Sequence, residues 1–321
     1  ATPDDGIEDF LEVPRFSTGY AALHHTIGFM PETHMLKPFA DRYAAMRALV
    51  ESVLAFTVTH APAIQRLRQT AREQAIRQRQ WPVRWKPDYS RPSIFRFKGY
   101  ATVYRPSVLG DYQRLAYDRS QPWEKDIAWF NRCQVDVAVD APRSYLIPQA
   151  WRETIERLQW NGVRLERIAV AQSVQAMAYQ IESVVSRSGP YEGQLFHDEV
   201  TLIRKSVTVN ARVGDVLVHL NQPNARYAVE TLEPQAHDSF FHWGFFNSIL
   251  EKKEAFSDYV FEDTALEMLE SEPQLREAFE RWKTQNPDRL GDQQAVLSFI
   301  FAQGQRYAEP EWRRYPVLRV V

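Results

Sequence analysis

The apolar residues of this chain follow helical spacing in some long blocks and strand-like alternation in others. Helical spacing marks residues 39–80 and 238–303, whereas short β-like runs fill most of residues 81–148 and 163–231. These spacings are the main sequence signals for helices and strands. The pattern therefore predicts an α+β protein, and a length of 321 residues allows about two domains of ordinary size.

The first 80 residues predict one strand and two helices. Residues 27–34 are an apolar segment that ends in polar residues, which favours a short buried strand with Glu32 at its C-terminal end. Pro38 suits a first helical turn, and the apolar stripe that follows it predicts a helix ending near residue 60. A second helix, over residues 62–80, carries five arginines, for which a solvated helix face is favoured over contacts with phosphates.

The remainder of the chain predicts a β-rich centre and a helical end. Residues 81–148 are rich in proline and aromatic residues and favour irregular β structure, and residues 163–231 favour strands separated by turns. Between them, Pro148 favours the start of a helix that stops at the turn dipeptide Asn161-Gly162. Four further helices are predicted, over residues 240–252, 259–270, 273–283 and 293–302.

The composition excludes several classes of protein. A net charge of −2 argues against a dedicated nucleic-acid binder, and a single cysteine rules out a disulfide scaffold. No apolar run approaches the ~18–20 residues that a membrane-spanning helix requires. The sequence therefore predicts neither a nucleic-acid partner nor a membrane span, and it leaves the oligomeric state open.

Glu32 is the most informative candidate for chemistry. A carboxylate at the C-terminal end of a strand in an α/β fold occupies the place where such folds usually put ligand-binding and catalytic groups. On a strand, Glu32 and His34 would face the same side, because side chains two residues apart share a face. The plainer alternative is a loop residue, or one that pairs with Lys37.

Histidines and nucleophile motifs add no complete site. The eight histidines start neither an H-E-x-x-H nor an H-x-x-E motif, and the chain lacks G-x-S-x-G, P-loop and G-x-G-x-x-G motifs. A metal ion could in principle be surrounded by His24, His25, Glu32 and His34. Hydrogen-bonded loop histidines are favoured instead, because nothing matches a ligand-spacing pattern. His242 follows Asp238 by four residues, which favours an ordinary polar pair on one helix face.

Two sets of motifs carry a family resemblance. Residues 16–23 (F-S-T-G-Y-A-A-L) and 32–38 (E-T-H-M-L-K-P), followed by a long helix, resemble the last part of the catalytic domain in a bacterial branch of the carboxypeptidase A-like zinc metallopeptidases. The later part of the chain resembles the long extension of the same branch, in residues 145–151, 190–193, 221–223, 226–234, 238–241, 259–263 and 315–317. The resemblance covers most of the chain except residues 62–140.

The resemblance implies zinc-dependent hydrolysis of a peptide or amide bond beside a free carboxylate in the full-length protein. In that family a glutamate late in the catalytic domain takes a proton from the zinc-bound water and passes it to the leaving amine, and Glu32 matches that glutamate. The family binds zinc through an H-x-x-E pair and a later His, all upstream of the glutamate, whereas only 31 residues precede Glu32 here. The resemblance therefore implies zinc in the full-length protein, no zinc in this chain, and no activity for this chain alone.

Three segments are expected from this resemblance. Residues 1–80 would be the C-terminal remnant of an α/β catalytic domain, residues 81–235 a mostly β accessory domain, and residues 236–321 a helical end packed on it. The substrate would be a peptide or an amide, and the resemblance favours a periplasmic or secreted location. Two alternatives stay open. One is a non-catalytic β-rich module that binds peptide, glycan or a partner chain, and the other is a hydrolase without zinc that uses Glu32 and His34 but shows no recognisable nucleophile.

Overall fold

The computed structural model describes residues 2–251, 255–304, 306 and 311–320. The helices are α1 (Ser17–Leu23), α2 (Phe39–Arg77), α3 (Arg152–Trp160), α4 (Ala225–Leu232), α5 (Asp258–Ser271), α6 (Pro273–Gln285) and α7 (Gln293–Gln303). The strands are β1 (Ile7–Glu8), β2 (Gln80–Pro87), β3 (Ser93–Pro106), β4 (Gln113–Phe130), β5 (Cys133–Asp140), β6 (Ser144–Ile147), β7 (Glu166–Arg167), β8 (Gln172–Ser186), β9 (His197–Ala211), β10 (Val216–His219) and β11 (Leu318–Val320). Helices and antiparallel strand pairs occur together, which confirms the α+β class.

The largest sheet has six strands in the order β7-β10-β6-β11-β8-β9, and all its pairs are antiparallel. All four residues of β6 are buried because both faces of this central strand are covered. Tyr145 and Ile147 point to the main core, whereas Leu146 points to a smaller apolar cluster on the opposite face. This alternation follows from the two-residue period of a strand.

The main core collects side chains from nearly the whole length of the chain. Leu23 of α1, Trp81 of β2, Ile155 of α3, Phe241 and Tyr315 all belong to one buried apolar cluster. α4 lies within this core, and all its residues except Arg226 are buried. Residues from each of the three segments expected from the sequence therefore pack together, and the segment boundaries themselves stay a prediction.

α5, α6 and α7 form a separate three-helix cluster with its own apolar core. Phe261, Met268, Leu275, Ile300 and Phe301 are buried there. α6 carries its apolar residues on one side, α5 does so less strongly, and α7 is apolar on most of its sides. The helices predicted at residues 259–270, 273–283 and 293–302 are confirmed, as is the helix predicted after Pro148.

β3 and β4 form a long hairpin, called here the β-arm (residues 93–130). The two strands pair from Ser93 opposite Trp129 to Pro106 opposite Gln113, with a register shift after Tyr100. Aromatic rings line one face of the β-arm, in the contacts Phe95–Trp129 and Phe97–Trp123. The β structure predicted for residues 81–148 is thus confirmed, but it is more regular than expected, because cross-strand aromatic pairs stabilise a long hairpin here.

Two predictions about the first 80 residues are wrong. Residues 27–34 contain no strand, and Ile27 is 61% exposed. A strand needs neighbouring backbone groups to pair with, and this segment instead packs through Gly28 on α1. The two helices predicted at residues 39–60 and 62–80 are one helix, α2, with Pro62 inside it. A proline removes one helical hydrogen bond, but the good helix formers Ala61 and Ala63 continue the helix on both sides.

Two predictions in the later part of the chain also fail. Strand structure was expected up to residue 231, but residues 225–232 form α4, which is buried on nearly all sides and whose charged residues Arg226 and Glu230 pair with each other. A helix was expected over residues 240–252, but residues 240–250 form turns and a short 3-10 helix at Asn247–Ile249. Phe240, Phe241 and Phe246 are all buried in this turn segment, so they do not form a one-sided stripe. Lys252 lies outside the described residues.

Candidate functional site

Glu32 lies on an exposed segment between α1 and α2. Residues 24–38 form turns and irregular backbone, and the Glu32 side chain is exposed to solvent. His34 Nδ1 accepts a hydrogen bond from the backbone N–H of Leu36 at 3.2 Å. Because the segment is not a strand, the shared face expected for Glu32 and His34 does not follow from its backbone.

The segment that carries Glu32 is anchored on both neighbouring helices. A β-carbon at Gly28 would lie 3.2 Å from the Ala21 side chain of α1, so the chain approaches α1 closely at this glycine. Ser17 Oγ contacts Met30 Sδ at 3.7 Å. From α2, Arg68 Nε donates to the His25 carbonyl at 3.0 Å. Glu32 therefore belongs to a unit formed by α1, the segment and α2.

Many apolar side chains of this unit are exposed. Leu36 is 84% exposed and Val58 is 78% exposed. The other exposed large apolar residues between residues 27 and 67 are Ile27, Phe29, Met30, Met35, Phe39, Tyr43, Val50, Leu54, Phe56 and Leu67. Exposed apolar surface on this scale is typical of a surface that binds another polypeptide. We call these residues the α2 apolar surface.

The other side of α1 forms a cleft of about 610 Å³ with the main body. The Tyr20 hydroxyl donates a hydrogen bond to Asn161 Oδ1, and His24 Nε2 lies 3.2 Å from the same oxygen. Asn161 Nδ2 donates to the Tyr227 hydroxyl oxygen at 2.9 Å. Asn161, at the end of α3, thus joins α1 to α4.

Two of the groups around Asn161 have pKa values shifted in favour of their uncharged forms. Burial lowers the pKa of His24 below its ordinary value, and burial raises the pKa of Tyr227. The Arg157 guanidinium lies 4.5 Å from the centre of the Phe245 ring and lines the same cleft. The cleft can present the hydroxyls of Tyr20 and Tyr227 and the guanidinium of Arg157 to a ligand, and the carboxyl-bearing residues Glu192 and Asp238 also line it.

Further hydrogen bonds fix α1 to the main body. His25 Nε2 lies 3.0 Å from the Pro223 carbonyl oxygen, and Arg226 Nη1 of α4 donates to the Ala22 carbonyl at 3.1 Å. His24 and His25 are therefore hydrogen-bonded loop histidines. Sequence reasoning missed the roles of Asn161 and Tyr227, although both stand in motifs that the sequence made visible, the Asn161-Gly162 turn and the 226–234 motif.

The described residues do not fit a zinc site. Within the described ranges, no group of three or more His, Cys, Asp or Glu side chains is arranged so that it could hold a metal ion. A catalytic zinc needs three protein ligands, so this chain's described residues support no step through a metal. In the same ranges, no helix is long and apolar enough to cross a bilayer.

A second polar cluster is sealed inside the main core. Glu233 accepts hydrogen bonds from the hydroxyls of Tyr145 at 2.6 Å and Tyr179 at 2.8 Å, and it pairs with the Arg319 guanidinium. Burial, followed by the charge of Glu233, raises the pKa of Tyr145 well above its ordinary value. The cluster is closed to solvent and fully partnered, so it stabilises the core rather than forming a reactive site.

Comparisons with known proteins connect part of the chain to fungal carboxypeptidases. The chain is 32% identical over 120 residues to Carboxypeptidase 2 of Trichophyton equinum and to that of Trichophyton tonsurans, which is 37% of this chain and 22% of each relative. It is 34% identical over 104 residues to Carboxypeptidase 2 of Trichophyton rubrum, which is 32% of this chain and 19% of that relative. The match thus spans 22% of the length of the first two relatives and supports a carboxypeptidase-like relationship. No protein-family model and no solved structure matches the chain.

Proposed function

We propose that this chain is part of a carboxypeptidase-type hydrolase that cleaves a peptide or amide bond beside a free carboxylate. The observation that carries the proposal is the 32% identity to fungal Carboxypeptidase 2 over 120 residues. The motifs at residues 16–23 and 32–38 add the resemblance to the zinc-dependent, carboxypeptidase A-like branch. On this proposal the chain is the C-terminal portion, the zinc ligands belong to the complete protein outside it, and the chain alone is inactive.

Glu32 is the proposed catalytic carboxylate of the complete protein. Its side chain is exposed and its segment is held between α1 and α2, so a reacting group can approach it while its backbone stays anchored. An exposed carboxylate of this kind can accept a proton and then return it, which is the role of a general base and acid. Glu32 lies on an irregular segment and not at the end of a strand. The proposed role requires only that the carboxylate can reach the reacting group, and an exposed side chain meets that requirement.

The α2 apolar surface is the proposed contact with the rest of the catalytic domain. Its exposed leucine, valine and phenylalanine side chains would be covered by residues of the complete protein that are absent from this chain. The partial span of the match, 22% of the first relative, is consistent with a larger protein. Burial of such a surface stabilises an interface mainly through the hydrophobic effect.

The second candidate, a β-rich binding module, is favoured by the β-arm. The loop at its outer end exposes Val108 (98%), Leu109 (86%) and Tyr112, and the strands on either side carry the exposed Tyr104 and Tyr117. An exposed aromatic and apolar hairpin offers area for a peptide, a glycan or a partner chain. This candidate requires no hydrolysis.

The two candidates are separated by reading the gene upstream of residue 1 and assaying the complete protein. The hydrolase proposal expects an upstream H-x-x-E motif and a later His, and release of C-terminal residues from test peptides. Glu32→Gln should then abolish turnover while the bound zinc, measured by elemental analysis, is unchanged. Glu182→Gln, on an exposed position of β8, is the matched control and should keep full activity.

Two results would count against this assignment. Full turnover by the Glu32→Gln protein would remove Glu32 from the mechanism. An upstream sequence without the H-x-x-E motif, combined with no hydrolysis, would favour the binding module.

A further inference from the structure

Arg15 lies in a cage of three aromatic rings and one buried carboxylate. Its guanidinium carbon is 4.4 Å from the centre of the Phe196 ring and 5.4 Å from the centres of the Tyr191 and Trp243 rings. Arg15 Nε and Nη2 both lie 2.8 Å from Asp238 Oδ1. The backbone N–H of Arg15 donates to Asp238 Oδ2 at 2.9 Å, so both oxygens are used.

Tyr191 and Phe196 form two walls of the cage, and both lie at the end of the β8–β9 hairpin. The N–H and carbonyl groups of Tyr191 both pair with Gln194 at 2.9 Å, around a two-residue turn at Glu192 and Gly193. These two residues have φ of +49° and +77°, the sign that a tight hairpin turn of this kind requires. The backbone N–H of Arg187 donates to the Phe196 carbonyl at 3.0 Å, which fixes that ring beside the turn.

The remaining walls come from the turn segment that follows α4. Trp243 Nε1 donates to Asp238 Oδ1 at 3.1 Å, and the Trp243 and Phe196 rings meet edge to face at 5.0 Å. Ser239 is completely buried and its hydroxyl accepts the N–H of His242 at 3.1 Å. The sequence predicts that Asp238 pairs with His242 on one helix face. In the structure Asp238 pairs with Arg15 instead. The contacts of Trp243 and of Ser239 do not involve Arg15, so we expect the walls of the cage to keep their positions when the Arg15 side chain is removed.

The buried carboxylate and the aromatic rings of the cage together favour binding of a planar cation. The Asp238 side chain is only 3% exposed, and that of Arg15 is 15% exposed. A buried carboxylate is costly unless it is paired and hydrogen-bonded. Aromatic faces attract cations, and the flat guanidinium stacks on rings and forms a fork of hydrogen bonds, whereas an ammonium does neither as well.

We propose that this cage is a guanidinium-binding site, that Arg15 is its internal ligand, and that the vacant cage accepts an arginine side chain of a peptide in preference to a lysine. The cleft of about 610 Å³ adjoins the cage and includes Tyr191, Asp238 and Trp243 among its walls. It therefore gives room for the rest of a peptide whose arginine enters the cage. In this chain the same recognition holds the segment before α1 on the main body.

Arg187 provides a matched control within the same structure. Its guanidinium lies 4.4 Å from the centre of the Tyr191 ring and 4.9 Å from that of the Phe196 ring. It pairs with Asp198, whose side chain is 42% exposed, and not with a buried carboxylate. Removing Arg187 therefore leaves no buried charge that an added arginine could neutralise.

The test is titration of Arg15→Ala protein with Nα-acetylarginine amide, followed by calorimetry and by the melting temperature. We expect saturable binding with a Kd of roughly 1 mM, at least about tenfold tighter than for Nα-acetyllysine amide. Wild-type protein, whose cage is filled, and Arg187→Ala protein should show no saturable binding in this range. Arg15→Ala/Asp238→Asn protein should lose the binding.

If Arg15→Ala protein does not fold, Arg15→Lys protein takes its place, and the arginine compound should raise its melting temperature more than the lysine compound does. The proposal is overturned if the folded Arg15 variant binds no arginine compound, or binds the lysine compound equally well. It is also overturned if the Asp238→Asn change leaves the binding intact.

Discussion

Glu233, which follows α4, and Arg319, in the middle of β11, form an ion pair inside the main core although 86 residues separate them. The side chains are 1% and 8% exposed, and the hydroxyls of Tyr145 and Tyr179 complete the partners of the carboxylate. The pair therefore ties the last described strand to the buried helix at the centre of the fold.

Replacement of Arg319 by methionine should strongly destabilise the protein. The change would leave the Glu233 carboxylate buried without a cation, and removing one partner of a buried pair typically costs about 3–5 kcal/mol. The free energy of unfolding from urea titration measures the effect. Arg281→Met, which removes a pair with Glu277 at the surface of α6, is the control and should cost less than about 1 kcal/mol. Equal losses in the two variants would refute the assigned role of the buried pair.

The stability of the protein should fall between neutral pH and pH 4 because of His242. Burial lowers its pKa from 6.5 to about 4, and its Nε2 atom is buried without a hydrogen-bond partner among the described residues. The groups that influence its charge include His237, Asp238 and His197. Since the folded pKa lies below the unfolded one, protonation favours the unfolded chain, and stability present above pH 6.5 is lost as the pH falls toward 4.

The His242 contribution amounts to roughly 3 kcal/mol over this interval. His242→Phe protein should therefore show a flatter dependence of the urea midpoint on pH between 7 and 4 than the wild type. His34→Gln, on the exposed segment, is the control and should retain the wild-type slope. An unchanged slope in the His242→Phe protein would contradict the prediction.

Charged residues on the α2 apolar surface should have opposite effects in this chain and in the complete protein. Leu54 and Val58 are exposed here, so Leu54→Glu/Val58→Glu should change the free energy of unfolding of this chain by less than about 0.5 kcal/mol. Self-association, measured by light scattering, should decrease because exposed apolar area is removed. In the complete protein the same change should lower stability by several kcal/mol if the surface is covered. Equal tolerance in both proteins would argue against a covering domain.

The elements that the sequence predicts correctly are those whose stability is local. α5, α6 and α7 bury apolar residues on one small shared core, and local signals mark their ends, such as Pro273 at the start of α6 and the Asp292 cap at the start of α7. α4 and the turn segment at residues 240–250 are buried on several sides. α4 has a clear apolar side and a polar pair, Arg226–Glu230, but at eight residues it is too short for its period to stand out from the strands before it. The turn segment buries its aromatic residues at irregular spacing, and this apolar density is misread as a helix.

The candidate site shows the same division. Glu32 is a candidate for two reasons, a sequence motif and an expected position at the end of a strand. The structure contains no strand there, since the segment packs on α1 instead of pairing in a sheet, so the motif is the remaining reason. Arg15 and Asp238 are in contact although they are 223 positions apart in the sequence, and no local sequence pattern predicts such a pair. Asn161 was visible as a turn residue, but its hydrogen bonds to Tyr20 and Tyr227 depend on the tertiary fold.

β11 has a consequence for the order of events during synthesis. It lies between β6 and β8, yet it follows the three-helix cluster in sequence. The ribosome therefore delivers β6 and β8 long before the strand that must separate them, and α5, α6 and α7 can assemble on their own in the interval. The six-stranded sheet reaches its final strand order only after translation has passed residue 320, so its closure is a late and non-local step of folding.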